Sequence, residues 1–429
     1  MRQKASFTIH DLQFWRRQLH HWAASQDVCM VLDSHHYEEG LMCRDWELLL
    51  GAGCHEILEL PAGDAFTSLK KWQNDIKDWM FGGFGYDLKN EIENLHSEHP
   101  DCIEFSDMVF FRPEIVIGIR DGNMIIESLT KSPEEVFAQV YNFSIPKRKE
   151  INPVSRLQPR LSKSSYFDII DKIRWHIIEG DLYEMNFCQE FYAEEALLEP
   201  MAVWEDLNEL AKPPFATFFR LRDKYILSAS PERFLKKSGD TLISQPIKGT
   251  RPRSASHDKL LREQLYNSQK DRAENVMIVD LVRNDLARSS VAGSVKVPEL
   301  FGIYTFETVH QMISTVESQL RPEVHPIDAI RNAFPPGSMT GAPKVMAMEL
   351  IECYEKTRRG FYAGSLGYFS PAGDFDFNVV IRSIFYNETN RSVSVQVGGA
   401  VVFDSTAETE YDECLVKAQA LFEVLSKIK

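Results

Sequence analysis

The sequence predicts an α+β layered fold rather than a doubly wound one. Two observations carry this. Strand-like runs are joined directly by turns, as in GSLGYF, SPAGD, DFNVVIRSIFY, NETN and SVSVQVGGAVVF between residues 364 and 403. Helix-like runs come in separate blocks and do not alternate with each strand.

DLQFWRRQLHHWA (11–23) reads as a helix, and VCMVLD (28–33) and FRPEIVIGIR (111–120) read as strands. FGGFGYDL (81–88) reads as a glycine-rich turn; it lacks the lysine and spacing of a phosphate loop. Residues 144–165, SIPKRKEINPVSRLQPRLSKSS, carry Pro146, Pro153 and Pro159 among six basic residues. They read as a linker or extended crossing segment between an N-terminal region, 1–143, and a catalytic region, 166–429. Ser165-x-x-Asp168 has the form of a capping box. Phe167, Ile170, Ile173 and Ile177 then share a helical face, and Gly180 can end the helix. Residues 256–288 predict a long or broken helix, and Pro343 is expected at the first position of another. Ser405-x-x-Glu408 is expected to cap the final helix.

The 429 residues are 44% hydrophobic and 26% charged, ordinary for a globular chain with a large core. A formal net charge of −15 argues against a general nucleic-acid or anionic-membrane binder. Seven scattered cysteines without a CxxC pair read as reduced thiols and no zinc framework. The start, MRQKASFTIHDLQFW, has no apolar signal core, and no long uncharged apolar run follows. A cytoplasmic enzyme or binding protein is expected.

Several stretches could carry chemistry. PIKGTRPR (246–253) places Lys248, Arg251 and Arg253 within six residues. Crowded cations are tolerable on a solvated surface; they can also lower a lysine's pKa and make it a nucleophile. Asp271 and Glu274 share one helix face, and Glu410 and Glu413 share another. Two such faces could hold an oxygen-ligated cation such as Mg²⁺. Alternatively they are solvated, with Glu413 paired to Lys417 four residues on. PPGSMTGAPK (335–344) is a small-residue loop entering a helix, suited to an anion or to a plain turn. Arg382, inside the apolar run NVVIRSIF, either snorkels or meets a carboxylate. Glu232 in ASPERFL could act as a general acid if desolvated, and His310 in ETVHQMIS as a base or a packed histidine.

From about residue 161 to the end, the chain resembles the chorismate-utilising enzymes. The matching blocks are GDLYEMNFCQ, ASPERFL, PIKGTRPR, DRAENVMIVDLVRNDLAR, FETVHQMIS, FPPGSMTGAPK, RRGFYAGSLGYF, VVIRS, GGAVVFDS and EYDECLVKA. Residues 1–143 match more loosely, through FGYDL and FFRPE. The resemblance implies an anthranilate-synthase-type fold, two antiparallel sheets packed face to face with helices outside. It implies that Glu274 and Glu413 ligate Mg²⁺, with Asp271 and Glu410 near its waters, and that the metal holds the ring carboxylate of chorismate. Arg382 and Tyr362, with backbone near Ala400, would take the enolpyruvyl carboxylate, and Gly249 and Thr250 would line the ring. Glu232 would protonate the departing C4 hydroxyl, and His310 would flank the ring.

Lysine in PIKGT resembles the branch of the family that aminates chorismate at C4; anthranilate synthases typically carry alanine there. On that resemblance Lys248 attacks C2 as water leaves C4, and ammonia then adds at C4 and expels the lysine. The chain has no GxCxGxQ-like cysteine, so the implied ammonia source is a separate glutamine amidotransferase partner, on a route to 4-aminobenzoate and folate. The rival within the family is anthranilate synthase component I. The rival from another class is a silent chorismate binder, which predicts a broken acid or metal position, whereas Glu232, Glu274, Glu413 and Lys248 are all present. Two positions depart from the pattern. Glu184 stands where relatives usually show glutamine and where isochorismate synthases use a lysine to activate water, which argues against water as the nucleophile. Ala400 stands where many relatives have glycine.

Overall fold

Two large antiparallel sheets carry the fold. The computed structural model describes residues 2–35, 45–148, 154, 157–254 and 256–426. Within these, one sheet has twelve strands and the other ten, with helices outside them. The middle of the first sheet runs Val28–Asp33, Phe215–Leu221, Lys224–Ser230, Ser383–Asn387, Ser392–Val401, Glu184–Ala193. The second runs from Ile247–Pro252 at one edge through Val309–Gln319, Thr241–Gln245, Arg233–Ser238, Phe375–Asn378, Ser365–Phe369 and Met80–Phe84.

The N-terminal region is woven into both sheets. Val28–Asp33 pairs with Phe215–Leu221 in the first, and Met80–Phe84 pairs with Ser365–Phe369 in the second. Residues 1–143 therefore share their hydrogen-bond ladders with the catalytic region. The segment 144–165 is in part outside the described residues; Gln158–Pro159 adds a short strand beside Glu184–Ala193, and a helix begins at Lys163.

Phe187 and Phe219 of the first sheet belong to one buried cluster with Phe81, Phe84, Phe110 and Phe111 of the second. Phe111 and Phe219 stack across the sheets with ring centroids 6.4 Å apart. On the outer side of the first sheet, Val393, Val395 and Val397 of one strand join Cys414, Ala418 and Leu421 of the final helix. That two-residue period is why the valines alternate with Ser394 and Gln396.

Two runs that read as single strands are each broken across the sheets. In FRPEIVIGIR, Met108–Arg112 belongs to the second sheet and Ile115–Arg120 to the first. Pro113, which cannot donate to a ladder, sits at the corner. In DFNVVIRSIFY, Phe375–Asn378 lies in the second sheet and Ser383–Asn387 in the first. Arg382 is thus on the crossing, not inside a strand, and its φ of 54° is left-handed.

FGGFGYDL is a strand, not a turn, over Met80–Phe84. A Cβ at Gly82 would lie 2.0 Å from the Val109 carbonyl oxygen, and one at Gly83 2.1 Å from that of Ser365. Gly82→Ala is expected to destabilise the fold by about 2–3 kcal/mol through overpacking. A chemical-denaturation midpoint unchanged by the substitution would contradict this close approach.

The helix boundaries shift slightly from expectation. The helix Lys163–Glu179 is capped by Ser162, whose Oγ accepts from the Ser165 N–H at 3.1 Å, so Ser165 is not the cap; Gly180 ends it at φ 90°. Residues 256–288 form two helices, Asp258–Asn267 and Gln269–Ala287, separated by Ser268. Pro343 precedes the helix Lys344–Tyr354 as its cap position. The final helix is Ala407–Ser426, and Thr406 rather than Ser405 accepts from its first turn, at Thr409 N. Among the described residues no helix is long and apolar enough to cross a membrane.

Candidate active site

Lys248 lies on the edge strand Ile247–Pro252 of the second sheet, Glu184 on Glu184–Ala193 of the first. The lysine ammonium donates to Glu184 Oε1 at 2.5 Å, joining the two sheets. Both side chains are buried, at 9% and 2% exposure, so this pair feels little screening by water.

The expectation that Arg251 and Arg253 act on the lysine is corrected here. Arg251 donates to Asp271 Oδ2 at 2.7 Å, and Arg253 donates to Asp258 Oδ2 at 2.8 Å. A register shift between Ile247 and Thr250 separates them from Lys248. Carboxylates surround the amine instead. Burial pushes the Lys248 pKa down, but Glu184, Glu274 and Glu232 outweigh it and hold it above the ordinary value. The amine therefore rests as an ammonium.

Glu232 follows the strand Lys224–Ser230 and is buried. Burial pushes its pKa up to about 7, against a hydrogen bond from the Ser338 side chain and the charge of Lys248. A carboxylic acid protonated near neutrality can donate a proton to a leaving group. Ser338 comes from the PPGSMTGAPK loop, so part of that loop serves the acid. Sequence reasoning missed this residue; the run of small residues around it was the available signal.

The carboxylates read as metal ligands sit on the two expected helices. Asp271 and Glu274 are on Gln269–Ala287, Glu410 and Glu413 on Ala407–Ser426. Lys270 acts electrostatically on Glu274, Glu410 and Glu413, and Lys248 on Glu274 and Glu413, so the two helices face one region. Burial pushes Glu274 up to about 7 and raises Glu410 above the ordinary carboxylate range. Burial acts the same way on Glu413, but Lys417, whose Nζ lies 2.7 Å from its Oε1, holds it below. Glu410 Oε2 is buried with no hydrogen-bond partner. Among the described residues no three acidic, histidine or cysteine groups converge on one point. The set fits Mg²⁺ in the limited sense that this ion needs only one or two protein carboxylates and keeps waters. Lys270 and Lys417 lower the pKa of these carboxylates; of the two, Lys417 was expected only as the surface partner of Glu413.

Gly249 has a φ of 89°, and a Cβ there would lie 3.0 Å from Asp271. Only glycine suits that left-handed conformation against a carboxylate. Thr250 and Arg382 line one cavity of about 350 Å³ with Pro231, Gln311 and Lys417. Arg382 Nη1 donates to the Lys417 carbonyl at 2.9 Å, and burial lowers its pKa, against the charges of Tyr362 and Glu413. The Tyr362 hydroxyl is 3.3 Å from Cys188 Sγ. Ala400 pairs with Asn186 across the first sheet, two residues from Glu184.

His310, expected to flank the ring, is held between Thr305 at the end of the strand Lys296–Thr305 and Asp258 at the start of the helix Asp258–Asn267. It is fully buried, with Nδ1 3.0 Å from Thr305 Oγ1 and Nε2 3.2 Å from Asp258 Oδ1. It lines a separate cavity with Arg253 and Tyr304. Successive residues of a strand point to opposite faces, and Gln311 takes the face that meets Thr250 and Arg382.

The profile of the chorismate binding enzyme family matches residues 46–423. The chain belongs to the chorismate binding enzymes. This chorismate binding enzyme is 38% identical over 358 residues to aminodeoxychorismate synthase component 1 of Escherichia coli, covering 81% of this chain and 76% of that one. It is 31% identical to the protein of that name from Bacillus subtilis, over 84% and 82% of the two chains. Anthranilate synthase component I from Streptococcus pneumoniae superposes with a TM-score of 0.76 at 26% identity, over 87% of this chain and 91% of that one. The menaquinone-specific isochorismate synthase of Escherichia coli superposes at 0.77 with 18% identity, over 100% and 94%, a likeness of fold alone. Within this chorismate binding enzyme, a buried lysine, a raised carboxylic acid and two acidic helices meet at the end of the two sheets.

Proposed function

We propose that the chain aminates chorismate at C4 to give 4-amino-4-deoxychorismate. Its ammonia comes from a separate glutamine amidotransferase, in the cytoplasm, and its product feeds 4-aminobenzoate and folate synthesis. The observation that carries this reading is Lys248, buried among Glu184, Glu274 and Glu232 rather than solvated. The relatives named aminodeoxychorismate synthase component 1 support the same substrate, and the words component 1 support the existence of a partner component. Anthranilate synthesis is the second reading; it rests on the likeness of fold and leaves the buried lysine without a role.

Lys248 is the nucleophile at C2 of the ring. As the new C–N bond forms, the two ring double bonds shift and the C4–O bond breaks. Glu232 supplies the proton that lets the hydroxyl depart as water. Ammonia then attacks C4, the double bonds shift back, and the lysine is released. Covalent catalysis of this kind divides one hard substitution into two easier ones. Arg382 and Tyr362, with backbone near Ala400, hold the enolpyruvyl carboxylate, and Gly249 and Thr250 line the ring. Glu274 and Glu413 would hold Mg²⁺, with Asp271 and Glu410 near its waters; the ion supplies positive charge opposite the ring carboxylate.

The test is a product assay on the purified chain with chorismate, Mg²⁺ and ammonium at mildly alkaline pH. Aminodeoxychorismate, identified by chromatography and mass, is the expected main product. Chelation of the metal is expected to stop turnover, and added Mg²⁺ to restore it. Anthranilate with pyruvate as the main product would overturn the reading.

A further inference from the structure

An ammonium is not a nucleophile, so Lys248 must lose a proton before it attacks. We infer that Glu184 is the group that takes this proton and later returns it. The inference rests on the reading of Lys248 as a nucleophile. The geometry is direct: Glu184 Oε1 is 2.5 Å from Lys248 Nζ, inside the structure and on the opposite sheet. The other oxygen, Oε2, is buried and has no hydrogen-bond partner, so the carboxylate keeps acceptor capacity unused by the protein. A glutamine at this position could hold the amine but could not take its proton.

Each charged group around the amine has a distinct place. Glu274 comes from Gln269–Ala287, Glu232 from the turn after Lys224–Ser230, and Glu413 from Ala407–Ser426. Glu232 is committed to the departing hydroxyl, and Glu274 and Glu413 to the cation. Glu184 alone among them makes an ion pair with the lysine.

The step balances. Lys248–NH₃⁺ passes one proton to Glu184, giving a neutral amine and a neutral carboxylic acid. The amine's electron pair forms the bond to C2, and the C4–O pair leaves with the proton from Glu232 as water. When ammonia attacks C4, the C2–N pair returns to the lysine nitrogen. Glu184 gives back its proton to restore the ammonium. The new C4 ammonium gives one proton to Glu232, so both acids end as they began.

The experiment compares wild type with Glu184→Gln and Glu184→Asp. Rates are measured from pH 6.5 to 9.5 at a fixed concentration of free ammonia, with Lys248→Ala in parallel. Glu184→Gln is expected to lose roughly 100-fold in kcat at neutral pH, the size of one acid–base contribution. The loss should shrink about tenfold per pH unit as solvent removes the proton instead. Its KM for chorismate should stay within about threefold of wild type, and Glu184→Asp should recover part of the neutral-pH rate. The amount of covalent lysine adduct trapped at pH 7, read by mass, should fall in Glu184→Gln alongside the rate. A loss equal at every pH, or no loss, would overturn the proton-transfer role. If Lys248→Ala aminates chorismate as well as wild type, the nucleophile reading itself fails, whatever Glu184→Gln does. Thermal melts of each variant separate folding defects from either result.

Discussion

Lys248→Ala is expected to reduce amination of chorismate by about 1,000-fold or more, because it removes the bond-forming atom rather than a contact. The substitution also leaves Glu184 buried without its cation, a change of a kind that costs about 3–5 kcal/mol. Loss of activity could therefore reflect loss of fold. Lys248→Arg separates the two. Its guanidinium keeps a positive charge for Glu184 but does not deprotonate, so it cannot attack C2. Both variants should be inactive and form no adduct, while Lys248→Arg melts closer to wild type. An active Lys248→Arg enzyme would show that only the charge at this position matters.

Glu232→Gln should lower kcat/KM by about 10²- to 10⁴-fold, the range of a lost general acid. The pH profile carries the sign. Burial lifts Glu232 to about 7, so the acid form dominates below that pH and is depleted above it. At fixed free ammonia, the wild-type rate should therefore fall as pH rises through that region. Glutamine has no proton to lose, so the variant's residual rate should not show that limb. A variant with the wild-type limb would assign the titration to another group.

Much of the site was legible because its residues lie in short contiguous stretches. Asp271 with Glu274 and Glu410 with Glu413 are three apart, and helical geometry alone puts each pair on one face. Glu232 was visible as a carboxylate after a strand and a proline, though its raised pKa was not. The partners of His310 were not legible, because a histidine on a strand can face either side and periodicity does not say which side Asp258 and Thr305 occupy. Ser338 and Lys270 were missed as site groups because folding brings them to Glu232 and Glu410, whereas the Glu413–Lys417 pair was readable as i, i+4 neighbours.

The sequence by itself determined the kinds of element and the chemical inventory. Alternation marked the strand runs near the end of the chain, end signals located three helices to within a few residues, and the side chains with the chemistry of a nucleophile, an acid or a cation ligand were readable in place. Only the tertiary structure decided which sheet each strand joined and which charges met. The runs at 111–120 and 376–386 each read as one strand, yet each crosses between sheets, because a corner at Pro113 or Arg382 leaves the local pattern almost unchanged. The same holds for Lys248. Along the chain its nearest charges are Arg251 and Arg253; in the fold they are Glu184, Glu274 and Glu232, from elements far apart in sequence. Electrostatic interaction falls with distance in space and not along the chain, so the environment that sets the amine's protonation exists only once the two sheets have closed.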